Sequence, residues 1–172
     1  YVDMANRLYF NALGYAQRKN GGFGCDKCVE AGVSDPFLTT SQDYYEAYWR
    51  CSMRGAEGLA RVATNSLLHE NKNVYIIQYF NGEYKTPGVS MKMSTHFPEE
   101  GQVKIQVFQN IGNHKFYFYI PEGTDKNDFS LKFNGKKIDS TWENGFLTTN
   151  LIGCGQLELN FNIQLRTQSG IN

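Results

Sequence analysis

Residues 102–109 read QVKIQVFQ, a run in which apolar and polar side chains alternate over most of its length. Residues 156–163, QLELNFNI, repeat this pattern, with Leu157, Leu159 and Phe161 two positions apart. Successive side chains of a β-strand point to opposite faces, so each run predicts a strand with one buried face. The two stretches decide the fold class, because a helix does not place alternate residues on one face.

Further runs with strand character surround these two, and turn signals separate them. The strand candidates are residues 73–80, 89–95, 102–109, 115–120, 129–133, 145–150 and 156–166. The turn signals are Asn81-Gly82, Pro87-Gly88, Glu100-Gly101, Gly112-Asn113, Asn134-Gly135 and Asn144-Gly145. Several short strands at regular spacing are typical of an antiparallel sandwich or barrel. We therefore expect a β-sandwich domain over residues 71–172.

Residues 1–70 have helical periodicity instead. A first apolar stripe consists of Ala5, Leu8, Tyr9, Ala12, Leu13 and Ala16. It predicts a helix over 3–18 that is capped by Asp3. A second apolar stripe consists of Ala56, Leu59, Ala60, Ala63 and Leu67. It predicts a helix over about 53–69 that is capped by Ser52. Each helix buries only one stripe, so the pair must pack on the β-domain or on helices outside this chain.

The bulk composition excludes several classes of protein. The 172 residues carry 17 basic and 17 acidic side chains, and no basic stripe exists to collect phosphates, which argues against a nucleic-acid partner. No apolar run is long enough to span a membrane. Four cysteines are too few for a disulfide scaffold at this length. The sequence leaves open the cellular compartment and whether the chain forms a homo-oligomer.

The segment 44–60, YYEAYWRCSMRGAEGLA, carries the sharpest local signal. Cys51 lies just before the predicted second helix and between Arg50 and Arg54. Unsatisfied helix N–H groups and nearby guanidinium charges favour thiolate over thiol, which makes Cys51 a candidate nucleophile or metal ligand. The alternative is a small buried thiol. Glu46 is the carboxylate candidate, because the aromatic residues around it suit stacking on sugar rings: Tyr44, Tyr45, Tyr48 and Trp49.

A second cysteine motif precedes this segment. Cys25-Asp26-Lys27-Cys28 is a C-x-x-C knuckle that can hold zinc, with Cys51 as a third ligand, or it can be a pair of ordinary reduced thiols. Cys154, between two glycines, is interpreted as structural. The histidines His69, His96 and His114 each lie in or beside a turn, where side chains are usually solvated, and we expect no role for them.

Residues 49–60 together with 73–80 resemble glycoside hydrolase family 127, which contains the β-L-arabinofuranosidases. Later segments resemble the family's β-strands and turns in the same order: 103–107, 116–121, 133–136 and 144–147. The resemblance implies an α+β chain, in which residues 1–70 are the last helices and the long connection of an (α/α)6 barrel. An antiparallel β-sandwich would follow over residues 71–172.

The resemblance also implies a mechanism. In the family, a cysteine thiolate is the proposed nucleophile, zinc held by cysteines and a glutamate keeps it poised, and a separate glutamate is the general acid and base. Where the family has two adjacent cysteines, this sequence has Arg50-Cys51. In that register, Arg50 occupies the nucleophile position and Cys51 keeps a zinc-ligand position. A permanently protonated arginine cannot replace a thiolate, so a relative with a different catalytic residue or without activity is an equal alternative to a working arabinofuranosidase.

The resemblance therefore implies the C-terminal part of a glycoside hydrolase that is inactive alone and needs an upstream helical domain. The catalytic candidates are Cys51 and Glu46, the substrate-binding candidates are Tyr45, Tyr48 and Trp49, and the zinc candidates are Cys51, Cys25 and Cys28. The alternative is a non-catalytic, carbohydrate-associated β-sandwich that binds or scaffolds. In both cases the expected partner is carbohydrate.

Overall fold

The structure is a computed structural model, and it describes residues 1–14, 16, 17, 22, 23, 50–121, 124, 125 and 127–163. The chain divides into two compact units, Tyr1–Thr64 and Asn65–Asn172. The first unit is helical in its described part, and the second is built from β-strands. The predicted domain boundary between residues 70 and 71 stays a prediction, and each unit is described by itself.

The first unit begins with helix α1, Val2–Leu8, which continues as a π-helix over Tyr9–Leu13. Gly14 N–H donates to the carbonyl of Tyr9 at 2.8 Å, the five-residue step of a π-helix. The expected helix over 3–18 is therefore too long. Asp3 is not the cap either, because it lies in the first turn and pairs with Arg7 at 2.7 Å.

The apolar stripe of this first helical segment is only partly covered by the described residues. None of the six stripe residues is buried, and Leu8 is 58% exposed. Met4, on the same helix, is 60% exposed. An apolar helix face normally packs against another element, so this part of the chain has surface suited to a partner.

Helix α2 spans Arg50–Thr64, and the expected helix over about 53–69 is wrong at both ends. Leu67–Glu70 forms a strand instead, with Leu67 opposite Ile76. Leu67 packs against the core of the second unit, so strand pairing buries the side chain that completes the helical stripe in the sequence. The carbonyl of Ser66 accepts hydrogen bonds from the N–H groups of Ile77 and Gln78, which fixes the start of this strand.

The described part of the second unit contains eleven strands in two sheets. The strands are β1 Leu67–Glu70, β2 Asn73–Ile76, β3 Gly82–Thr86, β4 Val89–Thr95, β5 Gln102–Asn110, β6 His114–Tyr119, β7 Phe129–Phe133, β8 Lys136–Lys137, β9 Thr141–Glu143, β10 Phe146–Leu151 and β11 Gly155–Phe161. One sheet has the order β1-β2-β6-β10-β9, and the other has the order β3-β4-β5-β11-β7-β8. All seven predicted strands are present, with some ends shifted. β1, β3, β8 and β9 were not predicted.

Pairing within both sheets is antiparallel except at one place. β2 lies parallel to β6, with Val74 opposite Phe116 and Ile76 opposite Phe118. The expectation of antiparallel sheets thus holds for the six-stranded sheet and for three of the four pairings in the five-stranded sheet.

The two sheets share one apolar core, the arrangement of a β-sandwich. The five-stranded sheet contributes Val74, Ile76, Phe116, Phe118, Leu147 and Leu151, and the six-stranded sheet contributes Met91, Met93, Val103, Ile105, Val107, Leu131, Leu157, Leu159 and Phe161. The alternation that predicted β5 and β11 is the alternation seen, since Val103, Ile105 and Val107 are buried while Lys104 and Gln106 are exposed.

Two of the predicted Asn-Gly turns form tight hairpins. Asn134 and Gly135 have φ angles of 50° and 77°, and Asn144 and Gly145 have φ angles of 50° and 83°. Two consecutive residues with positive φ define a type I′ turn, which matches the twist of the flanking strands. These turns set the registers of β7 with β8 and of β9 with β10.

Candidate functional site

Most of the predicted site residues lie outside the described residues. They are Cys25, Cys28, Tyr45, Glu46, Tyr48 and Trp49. Cys51 is described only as backbone, as the second residue of α2. The roles assigned to these seven residues stay predictions.

The start of α2 differs from the sequence expectation in one respect. The sequence placed Cys51 just before a helix with Ser52 as its cap, whereas both residues lie in the first turn. The Ser52 hydroxyl accepts a hydrogen bond from the backbone N–H of Phe23 at 2.9 Å. Cys51 therefore belongs to the first turn of the helix, whose N–H groups lack intrahelical acceptors.

Two glycines of α2 allow close packing within the first unit. A Cβ atom on Gly55 would overlap the ring of Phe23, which is 4% exposed. A Cβ on Gly58 would lie 3.0 Å from Leu13 Cδ2. Gln17 forms an antiparallel bridge with Phe23. The Phe23 contact thus holds the first half of α2, the part of the helix that begins with Arg50 and Cys51.

The carboxylates of α2 and β9 are held in ion pairs. Glu57 accepts hydrogen bonds from Arg54 at 2.7 Å and from Arg61 at 2.8 Å, and these contacts lower the pKa of its carboxyl group. Glu143 pairs with Lys115, whose hydrogen bond lowers the pKa of the Glu143 carboxyl. Both groups stay ionised at neutral pH, so neither has the raised pKa of a general acid.

Two histidines for which no role was expected lie side by side in the second unit. The rings of His69 and His114 have centroids 5.7 Å apart. His114 is only 4% exposed, so the expectation of a solvated side chain is wrong for this residue. His69 Nε2 is buried and has no hydrogen-bond partner among the described residues. The turn residues near them gave no sign of burial in the sequence.

Cys154, which was interpreted as structural, lies at the surface of the second unit. It is exposed, it is not in a disulfide, and its Sγ donates to the carbonyl of Phe108 at 3.2 Å. Within the described ranges, no three His, Cys, Asp or Glu side chains form a group that could hold a metal ion. None of the described helices is long and apolar enough to cross a membrane.

A cleft of about 430 Å³ opens in the second unit beside strands β7, β8 and β9. Its apolar wall consists of Phe129, Leu131, Ile138 and Trp142, and its polar rim consists of Asn127, Lys137, Asp139 and Ser140. The rings of Phe129 and Trp142 meet edge to face, with centroids 5.8 Å apart and planes at 86°. The cleft thus combines an aromatic wall with a polar rim, and polar atoms make up the larger part of its exposed lining.

Sequence reasoning did not identify this cleft. Trp142 lies in a short segment between Ser140 and the Asn144-Gly145 turn, and the segment has too few residues to show strand periodicity. The only available signal was a tryptophan among polar residues. The cleft itself arises because residues 138–140 carry the chain from the six-stranded sheet to the five-stranded sheet.

No family model matches the sequence, and no curated protein matches it. Three solved structures share the fold. A GH127 β-L-arabinofuranosidase from Geobacillus stearothermophilus T6 aligns with a TM-score of 0.69 and 16% identity, over 96% of this chain and 28% of that one. A glycoside hydrolase aligns with a TM-score of 0.68 and 14% identity, over 94% of this chain and 29% of that one.

A further GH127 β-arabinofuranosidase aligns with a TM-score of 0.52 and 17% identity, over 65% of this chain and 21% of that one. The resemblance to family 127 is thereby confirmed for the fold. That residues 1–70 are the remnant of a helical barrel stays a prediction. The chain has the fold of one segment of these glycoside hydrolases, and it spans less than a third of the length of each.

Proposed function

We propose that this chain is the C-terminal part of a glycoside hydrolase that acts on carbohydrate chains. The observation that supports this most is the alignment over 96% of the chain with a β-L-arabinofuranosidase, because so large a share includes helical residues as well as the β-unit. A β-sandwich alone is a common architecture and says little about function. The order of the family-like sequence segments supports the same function.

The chain depends on a helical domain for activity. The solved structures are more than three times longer, and the exposed Met4 and Leu8 of α1 form an apolar surface suited to packing against helices. The outward side of the five-stranded sheet is also aromatic, since Tyr75 stacks on Tyr117 at 4.4 Å and Phe146 lies edge-on to both. We assign Cys51 and Glu46 to the catalytic site, with Tyr45, Tyr48 and Trp49 contacting the sugar.

A hydrolysis assay with p-nitrophenyl β-L-arabinofuranoside tests this function. The isolated chain should release nitrophenol no faster than buffer, because part of the substrate pocket and part of the zinc shell would lie on the helical domain. The protein in which the chain is joined to that domain should hydrolyse the substrate. There, Glu46→Gln should lower kcat by about 100-fold or more if Glu46 transfers the proton.

The control is Glu158→Gln, a half-buried carboxylate on strand β11 of the β-unit, which should leave kcat unchanged. Robust turnover by the isolated chain would show that the helical domain is not needed for catalysis and that this proposal is wrong. An inactive joined protein would remove the enzyme function and leave the non-catalytic carbohydrate module, which the cleft beside Trp142 favours.

We also propose that Cys25, Cys28 and Cys51 hold a zinc ion, whose role is to keep a thiolate deprotonated. Metal analysis of the purified chain should find about one zinc per chain, and Cys28→Ser should lose most of it, because the variant keeps only two of the three cysteine ligands that this chain supplies. Cys154→Ser is the matched control, because this exposed thiol belongs to the other unit. Equal zinc in the Cys28→Ser and Cys154→Ser variants would remove the knuckle from the site.

A further inference from the structure

The backbone on one side of the cleft beside Trp142 is held in place by hydrogen bonds. Residues 138–140 cross between the sheets and are tied to both of them. The Ile138 N–H donates to the carbonyl of Leu131 on β7 at 3.2 Å, and the Thr149 hydroxyl on β10 donates to the carbonyl of Asp139 at 2.7 Å. The backbone that presents the rim is therefore fixed before any ligand arrives, which lowers the entropic cost of binding.

The rim combines one positive and one negative side chain. Lys137 and Asp139 are exposed, and no described residue forms a hydrogen bond or ion pair with either side chain. Their charges cancel, so the cleft attracts neither a phosphate nor a cation through net charge. Asn127 and Ser140 add neutral donors and acceptors. Such a rim favours a neutral ligand with many hydroxyl groups.

The wall of the cleft fits the same ligand. Phe129 and Trp142 present aromatic surface, on which the C–H face of a sugar ring can pack. The volume of about 430 Å³ is enough for one or two sugar residues, given that ligand pockets typically range from about 300 to 1,000 Å³.

We propose that this cleft is a carbohydrate-binding site. It holds a neutral sugar residue of the substrate chain, with Trp142 and Phe129 as the aromatic wall and Lys137 and Asp139 as hydrogen-bonding partners of the hydroxyls. The inference rests on the proposed carbohydrate function. It adds to that function a sugar-binding site built entirely from residues of the second unit.

The test is a titration of the ¹⁵N-labelled chain with methyl β-L-arabinofuranoside, followed through the tryptophan indole N–H signals. The chain has only two tryptophans, Trp49 and Trp142, and a Trp142→Phe variant assigns the two signals. The Trp142 signal should shift with saturation. If only the Trp49 signal shifts, the chain binds carbohydrate but the cleft does not, so the inference fails while the proposed function stands.

Variants of the polar rim test the same site without changing its aromatic wall. Lys137→Ala and Asp139→Ala should each weaken binding by about threefold to tenfold, the effect of losing one hydrogen bond. Lys136→Ala is the matched control, since this neighbouring lysine of β8 is exposed but does not line the cleft. Equal effects of the Lys136 and Lys137 variants would overturn the site.

Inorganic phosphate and methyl β-D-xylopyranoside complete the titration. Phosphate should leave the Trp142 signal unchanged, and a larger shift with phosphate than with either sugar would overturn the proposal of a neutral ligand. A shift with the xylopyranoside as well as the arabinofuranoside supports a sugar site of broad specificity. If no compound shifts the Trp142 signal up to 50 millimolar (about the practical limit for weak ligands), the inference is wrong.

Discussion

His114 is fixed by its neighbour on the preceding strand. Its Nδ1 lies 2.9 Å from Asn110 Oδ1, while the Asn110 amide nitrogen donates to the carbonyl of Leu151 at 2.7 Å. Because the amide nitrogen is engaged there, the oxygen accepts from a protonated Nδ1. Burial lowers the pKa of His114, and the neighbouring His69 and Lys72 lower it further. The buried ring is therefore neutral at neutral pH.

The unfolded chain binds a proton at His114 more readily than the folded chain, because the pKa of the buried ring lies below the ordinary histidine value of 6.5. The contribution of His114 to the stability is complete above pH 6.5 and is lost as the pH falls from that value through the lower folded pKa. We expect the urea concentration at the unfolding midpoint to be lower at pH 5.5 than at pH 7.5. Ordinary carboxylates do not titrate in this pH range. His114→Gln should reduce this dependence.

The control is His96→Gln, which replaces an exposed turn histidine and should preserve the pH dependence. A wild-type midpoint that is the same at both pH values would contradict this account of His114. At the residue scale, the sequence could not show the burial, because the position beside Gly112-Asn113 is identical in pattern to a solvated turn.

The packing of helix α2 in the first unit depends on two glycines. Gly55 and Gly58 lie on α2, where alanine is intrinsically more favourable than glycine by about 1 kcal/mol. At position 55 an added Cβ would overlap the Phe23 ring, whereas at position 58 it would meet the flexible end of Leu13. The same substitution should therefore have opposite consequences at the two positions.

We expect Gly55→Ala to destabilise the packing of α2 by about 1–3 kcal/mol, the usual effect of overfilling a packed contact. Gly58→Ala should be neutral or slightly stabilising. Amide hydrogen exchange of the α2 backbone measures both effects. Phe23→Ala should remove most of the penalty of Gly55→Ala in the double variant, and full additivity of the two changes would disprove the contact.

The boundary between α2 and β1 shows where periodicity misleads. Leu67 continues the apolar spacing of the helix, and this predicted a helix to about residue 69. In the structure, Leu67 reaches an apolar environment through the strand pairing with Ile76. A single leucine satisfies both patterns, so its sequence context could not distinguish them.

Across the whole molecule, the central strands were predictable and the edge strands were not. β4, β5 and β11 bury every second side chain, and the same alternation of apolar and polar residues can be recognised in the sequence. β3 and β8 contain no buried residue, so their sequences have no apolar alternation from which a strand could be predicted. The parallel pairing of β2 with β6 joins residues about 40 positions apart and has no local signal.

The candidate sites divide in the same way. The cysteine and aromatic motifs at 25–51 were recognisable because chemistry-bearing residue types cluster along the chain. The cleft beside Trp142 was not, because its walls combine Phe129 with residues 137–142, which only the sheet-to-sheet crossing brings together. Sites of the second kind can be predicted only after the fold is known.

The order of the six-stranded sheet has a consequence for how the polypeptide is made. β11 is the last described strand in the chain, yet it lies between β5 and β7 rather than at an edge. Until the ribosome has released residues 155–161, the facing edges of β5 and β7 lack the strand whose backbone groups pair with both of them. The nascent β-unit thus keeps two open strand edges, which favour aggregation, until β11 has been made.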